Sequence, residues 1–186
     1  MPDHYRIIAA TPADHETIRQ LAHATWPDTF GEILSPAQIT YMLEMMYRLD
    51  ALREQTGKGH IFHLLLERVK EDKAVTPGRP YADAGANRYR PVGYFSYEPD
   101  YLPNTTKIHK IYALPEVQGR GYGRAMIEYV AAVARRAGQQ KLRLDVNYEN
   151  AAIGFYEYLG FVKIDRFDAH IGNGYLMEDW RMEKGL

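Results

Sequence analysis

The stretch with the most structural information is Gln118-Gly119-Arg120-Gly121-Tyr122-Gly123-Arg124. It follows an apolar, strand-like run at residues 108–114 and opens a helical pattern that lasts to about residue 137. Glycines at alternate positions allow successive backbone N–H groups to turn toward one point, where the positive end of the helix dipole also lies. The stretch therefore predicts a cradle for a phosphate or pyrophosphate, with Arg120 and Arg124 as counter-charges.

The composition is that of a single domain spanning residues 1–186. Basic and acidic residues nearly balance, at 23 and 24, so we expect no nucleic-acid partner. The absence of cysteine from the sequence excludes disulfides, thiolate nucleophiles and cysteine-based zinc sites. No signal peptide is recognisable and no apolar run reaches membrane-spanning length, so we expect a cytoplasmic protein with no membrane partner.

The histidine pattern predicts no metal site. His60 and His63 lie three positions apart in a strand-like run, so their side chains should point to opposite faces of a sheet.

Hydrophobic periodicity predicts the element order β-α-α-β-β-β-α-β-α-β-β. The first helix should begin after Thr11 and end at Pro27, and the second should begin after Ser35. The two strands that flank the central helix should be parallel, and the rest of the sheet mostly antiparallel. Residues 70–90 are polar and contain several glycines and prolines, which predicts a flexible insertion or, alternatively, a lid over the active site.

Two other phosphate-binding motifs fit the glycine-rich stretch poorly. Asp145 lies about twenty residues beyond it, where a dinucleotide-binding fold has its ribose-binding acid. However, the third glycine of that fingerprint is out of phase here, and no G-K-[ST] sequence completes a Walker A loop.

Together with a second block, the stretch resembles the signature of the GNAT superfamily of N-acetyltransferases. Residues 118–123 match the family pattern Q/R-x-x-G-x-G/A, which holds the pyrophosphate of coenzyme A. Residues 150–161, NAAIGFYEYLGF, are similar to the family block N-x-x-A-x-x-F-Y-x-x-x-G-F, with the alanine one place early. The resemblance implies an α/β (α+β) domain with a GNAT-like acyl-CoA N-acyltransferase fold. That fold has a splayed, mixed, mostly antiparallel sheet flanked by helices, and acetyl-CoA is the cosubstrate.

Shorter segments at residues 25–30, 35–36, 111–112 and 178–184 resemble the bacterial polyamine (spermidine/spermine) N-acetyltransferase branch. This implies a primary amine acceptor of the polyamine type, and the family resemblance implies a homodimer. A protein N-terminus, an amino acid or an antibiotic amine remains an alternative acceptor. A regulatory module that binds acyl-CoA without turnover is an alternative of a different class.

The resemblance also implies roles for individual residues. Tyr156 would protonate the coenzyme A sulfur, and Asn150 would contact the pantetheine arm or simply cap a helix. A strand bulge nearby would free an N–H group to polarise the thioester carbonyl. The residues implied to bind the coenzyme are Ile111, Tyr112, Ala113, Gln118, Gly119, Arg120, Gly121, Tyr122, Gly123, Arg124 and Asn150.

The general base and the acceptor site are less defined. Asp145 and His109 are both candidates for the base, although each could be an ordinary surface carboxylate or strand histidine, and water could carry the proton instead. Acidic and aromatic side chains of the first two helices are candidates for polyamine binding: Trp26, Asp28, Phe30 and Glu44.

Overall fold

The computed structural model describes residues 4–69, 81–82 and 88–186. Over these residues the elements are β1 (Tyr5–Ala9), α1 (His15–Phe30), α2 (Pro36–Tyr47), α3 (Leu49–Gly57), β2 (Ile61–Arg68), β3 (Tyr81–Ala82), β4 (Arg88–Leu102), β5 (Thr105–Ala113), α4 (Tyr122–Arg136), β6 (Lys141–Asn147), α5 (Ala152–Tyr158), β7 (Val162–Gly172) and β8 (Tyr175–Gly185). No helix in this part of the chain is both long and apolar enough to span a bilayer.

All described strands belong to one sheet in the order β1-β2-β4-β5-β6-β8-β7, with β3 pairing β4. The β5–β6 pair is parallel and the other pairs are antiparallel, as predicted. The β5–β6 pairing ends at Ile108 and Leu144, although both strands continue beyond this point. The sheet therefore splays open between residues 109–113 and 145–147.

A β-bulge lies where the splay begins. Ser96 pairs with Lys110, but the next residue of β4, Tyr97, pairs with Ile108, so His109 is an extra residue in β5. A bulge of this kind lets two consecutive side chains share one face of the strand. Accordingly, the His109 ring stacks on His60, and the Lys110 ammonium lies 5.9 Å from the centre of the Phe62 ring on the same side of the sheet.

Helices cover both faces of the sheet, and two neighbouring residues of β2 show this because their side chains point to opposite faces. Phe62 packs against His15 at the start of α1, whereas His63 points the other way, with its Nε2 3.0 Å from the Tyr129 hydroxyl of α4. One face therefore carries α1–α3 and the other carries α4, and the core fills both layers.

The structure corrects the predicted elements in three places. α1 continues through Pro27 to Phe30, because proline removes only its own N–H while its carbonyl still accepts a bond from Gly31. Extended backbone at Arg48 ends α2, so a separate α3 follows that the periodicity did not reveal. Residues 81–82 and 88–90 of the predicted insertion lie in the sheet. The rest of that insertion, and with it the lid hypothesis, lies outside the described residues.

Candidate active site

The splay between β5 and β6 opens into a cleft with a volume of about 1190 Å³. α1 and α2 line one side, the glycine-rich turn and the start of α4 line another, and residues of β5, β6, α5 and β8 complete it. On the side that faces β6, residues 109–113 of β5 have no paired strand among the described residues. This edge can accept an extended ligand as an added strand.

The glycine loop, residues 118–123, forms an open turn at the N-terminus of α4. Gly119 and Gly121 have positive φ angles of 76° and 82°, which a residue with a side chain adopts only with strain. A Cβ added at either position would meet no atom within 4 Å, so the space above the turn is free. Gly121 is the N-cap of α4 and offers no side chain to cap the helix, which leaves the first-turn N–H groups available to an anion.

The two predicted counter-charges differ in position. Arg124 lines the cleft, and its guanidinium lies 5.2 Å from the centre of the Tyr158 ring. Arg120 instead forms a salt bridge with Glu67, at 2.7 Å, and donates to the Glu116 carbonyl. Because the described cleft lining does not include Arg120, the structure gives this residue a different partner from the predicted phosphate.

Tyr156 of α5 lines the cleft close to the loop. Its side chain is 8% exposed, and burial alone raises its pKa far above the usual value. A phenol in this setting stays protonated at neutral pH and can donate a proton. Phe155, the preceding residue, packs so closely on α4 that a Cβ at Gly123 would lie 3.1 Å from its ring, which fixes α5 against the loop.

Asn150 lies just before α5, whose N-cap is Ala151 and not Asn150 as the capping alternative predicts. Its Oδ1 accepts a hydrogen bond from the Ala152 backbone N–H at 2.8 Å. Asn150 also lines the cleft, and this hydrogen bond uses only its Oδ1, so its amide NH2 group is available to a ligand.

Of the two predicted bases, Asp145 lies in the cleft but is already engaged. The Lys107 ammonium lies 2.6 Å from its Oδ2, and Arg181 Nε lies 3.6 Å from its Oδ1. Two cations of the protein therefore already face this carboxylate in the cleft.

His109 is engaged as well. Its Nε2 lies 2.9 Å from Glu98 Oε2, and its ring stacks on His60 with ring centres 3.8 Å apart. Burial, His60 and two nearby lysines lower the pKa of His109 far below the usual value, which makes it a weak base. One ring nitrogen each of His60 and His109 and one carboxylate oxygen of Glu98 lie within 4.8 Å of one another. However, two nearly parallel stacked rings do not aim their lone pairs at one ion, so this cluster is a stacked histidine pair with a hydrogen bond from His109 to Glu98 rather than a metal site.

Asp179 of β8 is a cleft residue that the sequence analysis did not find. Its side chain is 5% exposed, and burial together with the nearby Asp145 raises its pKa to about 6, although Lys107 opposes this shift. It pairs across the sheet with Asn147 of β6, so the strand order, rather than any local motif, brings it to the splay.

The predicted acceptor residues divide into two groups. Trp26 and Phe30 are buried side chains of an aromatic wall and both approach the Tyr112 ring, at 6.0 and 6.4 Å between ring centres. Asp28 is exposed at the cleft, whereas Glu44 is exposed and is not part of the described lining. The structure thus brings three of these four residues to the cleft.

Residues 43–161 match the acetyltransferase (GNAT) family profile. The chain belongs to this family. An uncharacterized N-acetyltransferase of Methanocaldococcus jannaschii is 36% identical over 78 residues, which cover 39% of this chain and 34% of that relative, so the chain matches about a third of its length.

Solved structures show the same fold. The PaiA N-acetyltransferase of Thermoplasma acidophilum, in complex with coenzyme A, is 20% identical with a TM-score of 0.72 over 98% of this chain and 99% of that chain. A chimera based on the Vibrio cholerae spermidine N-acetyltransferase SpeG is 22% identical with a TM-score of 0.63 over 98% of this chain and 96% of that chain. The predicted GNAT fold is confirmed.

Proposed function

We propose that this GNAT protein transfers the acetyl group of acetyl-CoA directly to a primary amine. The observation that carries the proposal is one continuous cleft that joins the open glycine loop, the free edge of β5, the Tyr156 phenol and the buried Asp179 carboxylate. This set of groups matches the requirements of acetyl transfer, which are an anchored coenzyme, a positioned thioester, a proton donor and a proton acceptor.

The coenzyme side is proposed to work through backbone groups. The loop N–H groups and Arg124 would hold the pyrophosphate, and residues 111–113 would pair with the pantetheine arm. A backbone N–H freed by the bulge at His109 would polarise the thioester carbonyl. Tyr156 would give its proton to the departing thiolate.

The acceptor side needs a base because an alkylamine is mostly protonated at neutral pH. Roughly one molecule in a thousand is neutral at pH 7, which costs about 4 kcal/mol. We assign the base to Asp179, in place of Asp145 and His109, because its raised pKa makes it a better proton acceptor than an ordinary carboxylate. The ammonium form would give one proton to Asp179, and the neutral amine would attack the thioester carbonyl carbon to form the C–N bond. As the C–S bond breaks, the thiolate would take the proton of Tyr156, and the second proton lost by the nitrogen would return to the Tyr156 phenolate.

A screen for coenzyme A release tests the proposal. The purified protein is incubated with acetyl-CoA and a panel of primary amines, and free thiol and acetylated amine are both measured. Turnover with any amine supports the acetyltransferase function. Tight binding of acetyl-CoA without turnover on a broad panel would favour the regulatory module.

A polyamine is the second candidate acceptor. It is supported by the likeness in fold to the SpeG chimera and by Asp28 and Glu32, two carboxylates of the cleft lining near the end of α1 that could attract ammonium groups. Spermidine and spermine therefore belong in the panel.

A further inference from the structure

We propose that the acceptor carries an anionic group as well as its amine, and that Lys110 binds this anion in the cleft. This inference rests on the proposed acetyltransferase function and names the chemical class of its acceptor: an aminocarboxylate. The observation behind it is a buried cation beside the proposed reaction site, with no counter-charge among the residues that the structure describes.

Lys110 is unusually placed for a lysine. It lies directly after the bulge in β5, lines the cleft and is only 7% exposed. Its ammonium group lies 5.3 Å from the centre of the Tyr47 ring and 5.9 Å from that of Phe62, so its nearest attractive contacts are aromatic faces. In residues 4–69, 81–82 and 88–186, no carboxylate reaches it within 4.0 Å.

Lys107, on the same strand, shows that the lysines of the cleft do not all lack a carboxylate partner. Lys107 is paired with Asp145 at 2.6 Å. Glu98, which belongs to the neighbouring histidine cluster, is hydrogen-bonded to His109 and does not come within salt-bridge distance of Lys110. Within the described part of the chain, Lys107 therefore has a carboxylate partner and Lys110 has none.

Burying an unpaired ammonium is costly, and such a group is normally paired or loses its proton. Burial and the nearby Lys107 lower the pKa of Lys110 to about 8, so most of the population is still charged at pH 7. A carboxylate that enters the cleft would supply the missing counter-charge in a partly dehydrated site, where a charge-assisted hydrogen bond is strong.

A carboxylate, which can accept a proton from an amine, lies on the other wall of the cleft. Asp179 lies on β8 across the splay from β5, which carries Lys110. The cleft therefore offers a proton acceptor for an amine and a cation for an anion on its two walls. A molecule with one amine and one carboxylate satisfies both, whereas a polyamine would place additional ammonium groups in a cleft that already holds an unpaired lysine.

The test measures kcat/KM for a panel of amino acids, each paired with its own carboxamide, and for spermidine. Three proteins are compared: the unchanged chain, Lys110→Met, and the control Lys58→Met, which removes an exposed lysine paired with Glu54 at the end of α3. For each protein, the preference is the kcat/KM for the amino acid divided by the kcat/KM for its carboxamide. The amines of the two substrates differ in basicity, but this difference is the same for every protein and cancels when the ratios are compared. Lys110→Arg tests whether charge alone restores the preference.

We expect the unchanged chain and the control to prefer at least one carboxylate over its carboxamide by about tenfold or more, since losing one partner of a buried charge pair is a large effect. Lys110→Met should lose that preference through a higher KM for the amino acid, while the KM for acetyl-CoA stays the same.

Two results with the unchanged chain would overturn the inference and leave the acetyltransferase function standing: equal kcat/KM for each amino acid and its carboxamide, or a higher kcat/KM for spermidine. Acetylation of Lys110 itself, seen by mass spectrometry of the intact protein, would also overturn it. No turnover with any amine would instead contradict the proposed function. If Lys110→Met does not fold, the comparison of substrates on the unchanged chain still decides the matter.

Discussion

The glycine loop and the charged floor of the cleft, formed by Lys107, Lys110, Asp145 and Asp179, lie in one cavity but are built in different ways. The loop offers backbone N–H groups whose positions are set by two left-handed glycines and one helix end, all within residues 118–124. The floor offers side-chain charges from three strands, β5, β6 and β8, that meet only because the sheet orders them so.

This difference has a chemical meaning. A backbone cradle has one charge state and binds the same diphosphate group at any neutral pH. Side chains in a buried floor can be replaced without disturbing the turn, and their protonation responds strongly to their neighbours. The loop is therefore suited to a constant ligand such as the proposed coenzyme, and the charged floor to a ligand that can differ, such as the proposed acceptor. Substitutions on the two sides should accordingly have separable effects.

The largest expected effect is that of Tyr156→Phe, which removes the proposed proton donor beside the loop. We expect kcat to fall by about 10²–10⁴, the usual contribution of a positioned acid, with little change in the KM for acetyl-CoA. Steady-state kinetics with the best acceptor measures both constants. A mutant that retains full kcat would remove Tyr156 from the mechanism and make it only a buried aromatic residue of α5.

Asp179→Asn should give the next largest effect and should act only on the acceptor side. Because the pKa of Asp179 is raised to about 6, the unchanged enzyme should lose activity as the pH falls through about 6 and this carboxylate becomes protonated. We expect the variant to lose about 10²-fold in kcat at pH 8 and to lose that acidic limb of the pH profile. An unchanged limb in the variant would assign the titration to another group.

The same substitution should stabilise the protein above pH 6. The folded-state pKa of Asp179 lies above the ordinary value of 3.8, so ionisation of this group costs stability as the pH rises through that interval, up to about 3 kcal/mol above pH 6. Urea unfolding at pH 5 and pH 8 measures the difference. Loss of activity with a gain in stability at pH 8 indicates a functional carboxylate, whereas loss of both would indicate a structural one.

The sequence predicts the glycine loop better than it predicts the charged floor. The glycine loop, the start of α4 and the position of Tyr156 on α5 each depend on a few consecutive residues, so local patterns are enough to place them. The pairing of Asp145 with Lys107, the pairing of Arg120 with Glu67 and the approach of Asp179 depend on contacts between segments that are far apart in the sequence. Periodicity gives the type of each element but not which charged side chains meet across a splayed sheet.

The missed α3 has a local cause. Residues 36–57 read as one apolar periodic run followed by a polar one, and a single extended residue, Arg48, separates the two helices without a proline or glycine to mark the break. The β5 bulge was expected from the family resemblance, but its position at His109 follows from the register with β4.

A smaller effect is expected from Gly121→Ala, compared with Gly138→Ala at the opposite end of α4. Both glycines have positive φ, at 82° and 75°, and neither would bring a new Cβ within 4 Å of another atom. Each substitution should therefore cost about 1–2 kcal/mol of unfolding free energy through backbone strain. Only Gly121→Ala should also raise the KM for acetyl-CoA, by roughly tenfold, because its Cβ enters the space proposed for the pyrophosphate. Equal KM values for the two variants would contradict the cradle.

The smallest effect expected is the difference between Arg124→Ala and Arg120→Ala, which sharpens the description of the loop itself. Arg124 lies at the cleft, and its loss should raise the KM for acetyl-CoA by roughly threefold to tenfold, with the effect shrinking at high salt because the side chain is exposed. Arg120 is turned toward Glu67, so its loss should leave that KM unchanged and cost at most about 1 kcal/mol of stability, as for most exposed ion pairs. Measuring both variants at two salt concentrations separates the predictions. If Arg120→Ala raised the KM more than Arg124→Ala did, the guanidinium would have to leave Glu67 when the coenzyme binds, and the loop would hold its ligand through a side chain as well as through its backbone.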